Sequence, residues 1–237
     1  MYSKNTYYNT YEELLKHIED FNKNNQIEIS IDTIRINFSK QHKLNDLQKI
    51  GNWKKLNKSD ENIKRKLNKR LDIDEVASAY QLENYNIYYY NSNKDKPRYR
   101  NATLVIFGMK QYHKAPPPHH IVKFLVNMLT YKNSKNDCNI DLCFDMKDKP
   151  NIDNLKKYFN LRQYVKPDTN KPTDTYYIND TGILMINKIC IYNKALKNEL
   201  QGILYRIEAT ISIPNLKVLQ MPLNEFINII GTMKGIK

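Results

Sequence analysis

Cysteine is scarce in this chain: three residues, Cys138, Cys143 and Cys190, among 237. An odd number with no CxxC pair supports neither a zinc ribbon nor the disulfide framework of a small secreted protein, so a reducing cytoplasm is the expected compartment. Long apolar runs are missing too. No stretch of about 18 apolar residues occurs, and the N-terminal MYSKNTYYNTYEELLKH has no apolar core of signal-peptide type; a soluble protein without a membrane partner is expected. Acidic residues are in deficit, with 25 Asp+Glu against 38 Lys+Arg and a formal charge of +13.

That excess of positive charge comes with 18 tyrosines. Lysine and arginine neutralise a polyanion, and tyrosine rings stack on bases, so nucleic acid is the expected partner. A bias towards Lys, Asn and Tyr codons would give a similar composition, so the positions of these residues have to decide between the two readings. The length suffices to bury a core without covalent staples, and residues 1–237 read as a single domain.

Periodicity predicts an α+β fold, mainly antiparallel sheet with helices packed on one face. Thr10 to Phe21 reads as a helix with Thr10 as N-cap and Glu13 three residues on, its apolar stripe formed by Leu14, Leu15, Ile18 and Phe21. Alternating Ile27, Ile29 and Ile31 open a strand near 27–38. Residues 40–70 form the most basic stretch, in a mostly helical pattern that no glycine or proline interrupts after Gly51. Lys54, Lys55, Lys64, Arg65, Lys66, Lys69 and Arg70 are its candidate DNA contacts, with Arg206 a further one outside the stretch; a solvated helix face is the alternative, but charges this dense repel one another unless something compensates them, which favours a phosphate-contacting arm. DIDEVASAYQLENY reads as a helix, and NIYYYN at 86–91 with ATLVIFGM at 102–109 as a hairpin. A further helix, HHIVKFLVNML, follows Pro116, Pro117 and Pro118.

The second half echoes this order. NIDLCFDM at 139–146 parallels SIDTIRINF, a helix follows at about 152–159, TYYIND, MINKICIYNK and ILYRIEATISI supply strands, and PLNEFINIIG closes with a helix. The dipeptides Ile31-Asp32 and Ile140-Asp141 mark two pseudo-repeated halves, 27–130 and 138–231, at a period of about 110 residues.

Chemistry concentrates in the second half. Asp141 and Asp145 lie four apart on a predicted strand and therefore point to one face, with Cys143 between them. Carboxylates on a strand otherwise built for burial need a positive partner. A divalent ion, Mg²⁺ or Mn²⁺, would serve, with Glu208 in YRIEATI completing the ligand set; pairing with Arg206, Lys188 or Lys194 is the structural alternative. Tyr192 and Lys194 stand two apart on one apparent strand, sharing a face, and Glu208 lies on the strand after it. Strand tyrosines usually pack, and an unassisted phenol near pKa 10 is a poor nucleophile. A polarised phosphate with Lys194 alongside would supply what covalent transfer to tyrosine requires.

Taken in order, SIDTIRINF, NIDLCFDMKDKPNIDNLKKYF, KICIYNKALKNEL and LYRIEATISIPNLK resemble the replication initiators of filamentous phages, the gene II protein type, and more distantly plasmid rolling-circle initiators. The likeness spans about residues 29–218. It implies that Tyr192 is a nicking nucleophile that attacks one phosphate of an origin strand, leaving a 5′-phosphotyrosine and a free 3′-hydroxyl, and that a second transfer rejoins the displaced strand. It also implies that Asp141, Arg206 and Glu208 belong to the active or metal site; Asp145 is added on its spacing. The implied partners are single- and double-stranded origin DNA, with host helicase and polymerase. The histidine-hydrophobe-histidine motif of many relaxases is missing, since His119 and His120 are adjacent and follow the prolines, so a histidine-ligated metal is disfavoured. Tyr176 and Tyr177 are reserve nucleophiles. The competing expectation is a non-catalytic DNA-binding protein or repressor on the same fold; an RNA-associated accessory protein is a third.

Overall fold

The computed structural model describes residues 11–39, 45–57, 60–63, 67, 78–91, 101–112, 115–130, 138–213 and 220–235. The protein is α+β with antiparallel strand pairing, as the alternation predicts. The chain divides into two compact units. Among the described residues one holds 14–32 and 139–235, and the other 11–13 and 33–138.

Helix α1, Tyr11–Asn25, buries Tyr11, Leu14, Ile18 and Phe21, the spacing of one helical face. It runs four residues past the expected end, and Asn22 ties it to the next element: its side-chain amide donates to the Ile29 carbonyl at 2.7 Å and accepts from the Ile29 N–H at 2.9 Å. Gln26, with φ of 52°, stops the helix. Strand β1, Ile29–Ser39, follows.

In the second unit the strand order is β2-β3-β4-β5-β1, where β2 is Trp53–Lys55, β3 Ser78–Leu82, β4 Ile87–Asn91 and β5 Asn101–Phe107. The expected hairpin is present as the antiparallel pair β4–β5. Two expectations are corrected. Ser78–Leu82 is strand, not helix, because Tyr80 stacks on Tyr89 of β4 with ring centroids 4.6 Å apart, a cross-strand contact that a helix would forfeit. Residues 53–55 are strand inside the stretch read as helical: Trp53 sits opposite Leu82, lies 4.8 Å from the Tyr89 ring, and donates its indole N–H to the Leu47 carbonyl at 2.8 Å. Leu56, Leu67, Ala79, Tyr88, Tyr90, Val105 and Phe107 form a core cluster here. Helix α2, His119–Thr130, starts just after the prolines as predicted.

In the first unit β1 contributes Ile29–Asp32, and the order is β1-β6-β10-β9-β8-β7. These strands are β6 Cys138–Met146, β7 Arg162–Val165, β8 Pro172–Ile178, β9 Ile186–Asn193 and β10 Tyr205–Ile213, with short helices α3 Ile152–Lys156 and α4 Lys194–Lys197. Helix α5, Gln220–Lys234, buries Leu223, Phe226, Ile229, Ile230 and Met233, each worth about 1.5–3 kcal/mol of hydrophobic transfer. Asn154 of α3 donates to the Thr232 carbonyl at 2.8 Å and the Asn151 N–H to that of Met233 at 2.9 Å, tying α3 to α5. Lys234 lies 5.0 Å from the Phe144 ring centroid, so α5 covers the face of β6 that carries Phe144. Asp141, Cys143 and Asp145 leave by the other face. Among the described residues no helix is long and apolar enough to cross a membrane.

Candidate active site

Strand register assembles the site within the first unit. Antiparallel pairing sets Arg206 opposite Tyr192, Glu208 opposite Cys190 and Thr210 opposite Lys188, and directly opposed residues share a face. The intervening Ile207, Ala209 and Ile211 are buried. One face therefore carries Tyr192, Arg206, Glu208 and Thr210, joined by acids from β6 and β1.

Arg206 is the hub. It is fully buried, and its guanidinium grips Asp145 in a bidentate fork, Nε to Oδ1 at 2.6 Å and Nη2 to Oδ2 at 2.7 Å. Nη1 donates to Asp32 Oδ1 at 2.7 Å and lies 3.8 Å from Glu208 Oε1. This planar five-donor group can hold one carboxylate in a two-bond fork and still donate to a second, a fixed geometry that the point charge of lysine does not offer. Asp32, known from sequence only as half of a repeated dipeptide, is the site residue that the reading missed; its match to Ile140-Asp141 was the available signal. Asp141 stands apart from the fork, accepting from the Thr210 hydroxyl at 2.8 Å.

Tyr192 donates its hydroxyl to Glu208 Oε1 at 2.6 Å. Burial, reinforced by the charge of Glu208 and the hydrogen bond to it, pushes the phenol far above its ordinary range, so at rest it is a protonated donor. Burial, then the charge of Asp32, raises the Glu208 carboxyl as well. Lys194 does not continue the strand as expected: Asn193 ends β9 and caps α4, accepting from the Leu196 N–H at 2.9 Å, so Lys194 opens a helical turn. Its amine nevertheless lies 6.0 Å from the Tyr192 ring centroid, and Lys197 lies 4.3 Å from the same ring. Lys194 is only 6% exposed, and among the described residues its amine makes no salt bridge. Burial, then repulsion by Arg206, lowers its affinity for a proton. Cys143 sits on the same face, but burial raises its thiol well above the ordinary value, leaving it an inert packing group.

The expected metal ligands Asp141, Asp145 and Glu208 do share this face, yet their oxygens serve protein donors. Both oxygens of Asp145 are on Arg206, one of Glu208 is on Tyr192, and one of Asp141 is on Thr210. Mg²⁺ demands near-octahedral oxygen at about 2.0–2.1 Å, and a cation already fills the fork. Among the described residues no group of three or more His, Cys, Asp or Glu side chains is arranged to hold a metal ion, so the residues in this geometry do not fit one.

Of the reserve tyrosines, Tyr177 on β8 faces Cys190 and so shares the Tyr192 face, with Lys188 4.5 Å from its ring centroid. Tyr176 points the other way, where its hydroxyl accepts from Gln163 at 3.3 Å. Lys54 and Lys55 are exposed on β2 in the second unit. Lys64, Arg65, Lys66, Lys69 and Arg70 lie outside the described residues. His119 opens α2 with its ring 5.6 Å from that of Tyr11.

No protein-family model and no curated protein matches the chain. Among solved structures the chain is similar to a rolling circle replication initiator protein from Geobacillus stearothermophilus, over 81% of this chain and 77% of that one, with a TM-score of 0.48 and 11% identity. At that level the likeness carries no argument, and the functional reading rests on the site.

Proposed function

We propose that the chain is a DNA strand transferase that opens one strand at a replication origin through a phosphotyrosine link and later rejoins it, serving rolling-circle replication of a phage or plasmid. The observation that carries this reading is the Tyr192 hydroxyl held 2.6 Å from the Glu208 carboxylate, beside the buried amine of Lys194. A phenol needs a base to become a nucleophile, and a carboxylate raised by burial is a stronger base than an ordinary one. The buried amine is a place for an anion. In this mechanism Glu208 takes the phenolic proton as Tyr192 Oη bonds to phosphorus. The bond from phosphorus to the 3′-oxygen breaks, and that oxygen receives a proton from the Lys194 ammonium. The products are a 5′-phosphotyrosine and a 3′-hydroxyl that primes synthesis by host polymerase behind a helicase. Attack of a 3′-hydroxyl on the phosphotyrosine reverses the sequence and releases Tyr192. Lys54 and Lys55, with Lys64, Arg65, Lys66, Lys69 and Arg70, supply phosphate contacts.

The burial of Tyr192, 5% exposed, favours a second reading, a DNA-binding protein without catalysis. Incubation with supercoiled DNA carrying the origin of the encoding element, Mn²⁺ supplied, separates the two. Transfer predicts a covalent adduct that maps to Tyr192 and is lost in Tyr192→Phe while DNA affinity survives. Adduct persisting in that variant removes Tyr192 as nucleophile, and binding without any adduct from the parent supports the second reading.

A further inference from the structure

We infer that Arg206 is the resident cation of the acid cluster and occupies the place a divalent ion would need, so that this chain binds no Mg²⁺ or Mn²⁺ among Asp32, Asp145 and Glu208. The inference deepens the strand-transfer reading and rests on it only for its catalytic consequence. Three hydrogen bonds at 2.6, 2.7 and 2.7 Å spend both oxygens of Asp145 and one of Asp32 on the guanidinium, and its Nη1 stands 3.8 Å from Glu208. Arg206 is fully buried, so leaving the cluster would cost all three of these bonds and strand the acids they serve. A guanidinium does not lose its charge at any physiological pH, so the position is never vacated by titration. The fixed charge does for the cluster what an ion would do: it compensates the buried carboxylates and fixes Glu208 at the Tyr192 hydroxyl. Arg206 is in this sense a positioning residue. The proton path from Tyr192 to Glu208 then needs no metal, and adduct formation is expected to proceed in EDTA.

The test reads metal binding without DNA. Mn²⁺ is titrated into the full chain and into Asp145→Asn and Glu208→Gln variants, and free ion is followed by electron paramagnetic resonance. The expected result is no binding by the parent that either variant weakens. Parent binding that falls tenfold or more in Asp145→Asn or Glu208→Gln overturns the inference. Arg206→Met, shown folded by circular dichroism, is expected to gain Mn²⁺ affinity by at least tenfold, since it uncovers the carboxylates; a folded variant with no gain overturns the claim that arginine stands in the ion's place. If that variant does not fold, the parent measurement decides alone. Failure to form an adduct on any DNA would reject strand transfer and leave the Mn²⁺ result standing.

Discussion

Replacing Arg206 with methionine keeps most of the side-chain volume and deletes the charge. The parent guanidinium makes three charge-assisted hydrogen bonds, to Asp145 twice and to Asp32, and those acids are only 12% and 13% exposed. A hydrogen bond to a charged group is worth about 1.5–3 kcal/mol. The slight exposure of the acids lets water recover part of that, so the loss should sit near the 3–5 kcal/mol typical of breaking a buried pair from one side. At about 2–4 °C per kcal/mol for a chain of this size, Tm should fall on the order of 6–20 °C. Urea denaturation followed by circular dichroism measures the loss directly. Most of the penalty is the stranding of Asp32 and Asp145, so adding Asp32→Asn and Asp145→Asn to Arg206→Met should restore stability relative to the single variant. A loss below about 1 kcal/mol, the scale of an exposed ion pair, would refute the buried-hub reasoning.

Glu208 carries a pH signature. Its folded pKa is raised above the ordinary 4.5, so the folded state holds this proton more tightly than the unfolded chain. Stability from this group is therefore full below the unfolded value and is lost as pH rises through the folded one. Glu208→Gln should stabilise the protein at neutral pH, an advantage that disappears on acidification in paired denaturation curves; an advantage that grows instead would contradict the assigned environment. Lys194 has the opposite shift, its pKa lowered by burial, so holding it charged at neutral pH opposes folding. Lys194→Met should raise or preserve Tm while weakening affinity for a short single-stranded oligonucleotide, and a drop in Tm with unchanged affinity would make it a packing residue.

Local pattern was enough for most elements. The helix stripe of Leu14, Ile18 and Phe21, the triple proline before α2 and the apolar run of Cys138–Met146 are each decided within a few residues, by a buried helix face, a fixed proline φ and a strand buried on both sides. Ser78–Leu82 was misread because its reason for being a strand, Tyr80 stacked on Tyr89, lies on another element. Lys194 was misplaced by one local event, the capping of α4 by Asn193.

The same division runs through the site. Alternation, a property of the backbone, is enough to put Asp141 and Asp145 on one face and Arg206 with Glu208 on one face, and chain order puts Tyr192 on the strand before them. The sequence left open whether a metal or a basic side chain answers the acids, because both satisfy the same charge requirement. Only strand order and register decided that question. With β6 and β10 neighbours and β1 beyond β6, Arg206 reaches Asp145 and Asp32, while the pairing of β10 with β9 brings Glu208 to the Tyr192 hydroxyl. Partner choice over a separation of 174 residues is a tertiary fact, set by which strands pair and not by any pattern along one of them.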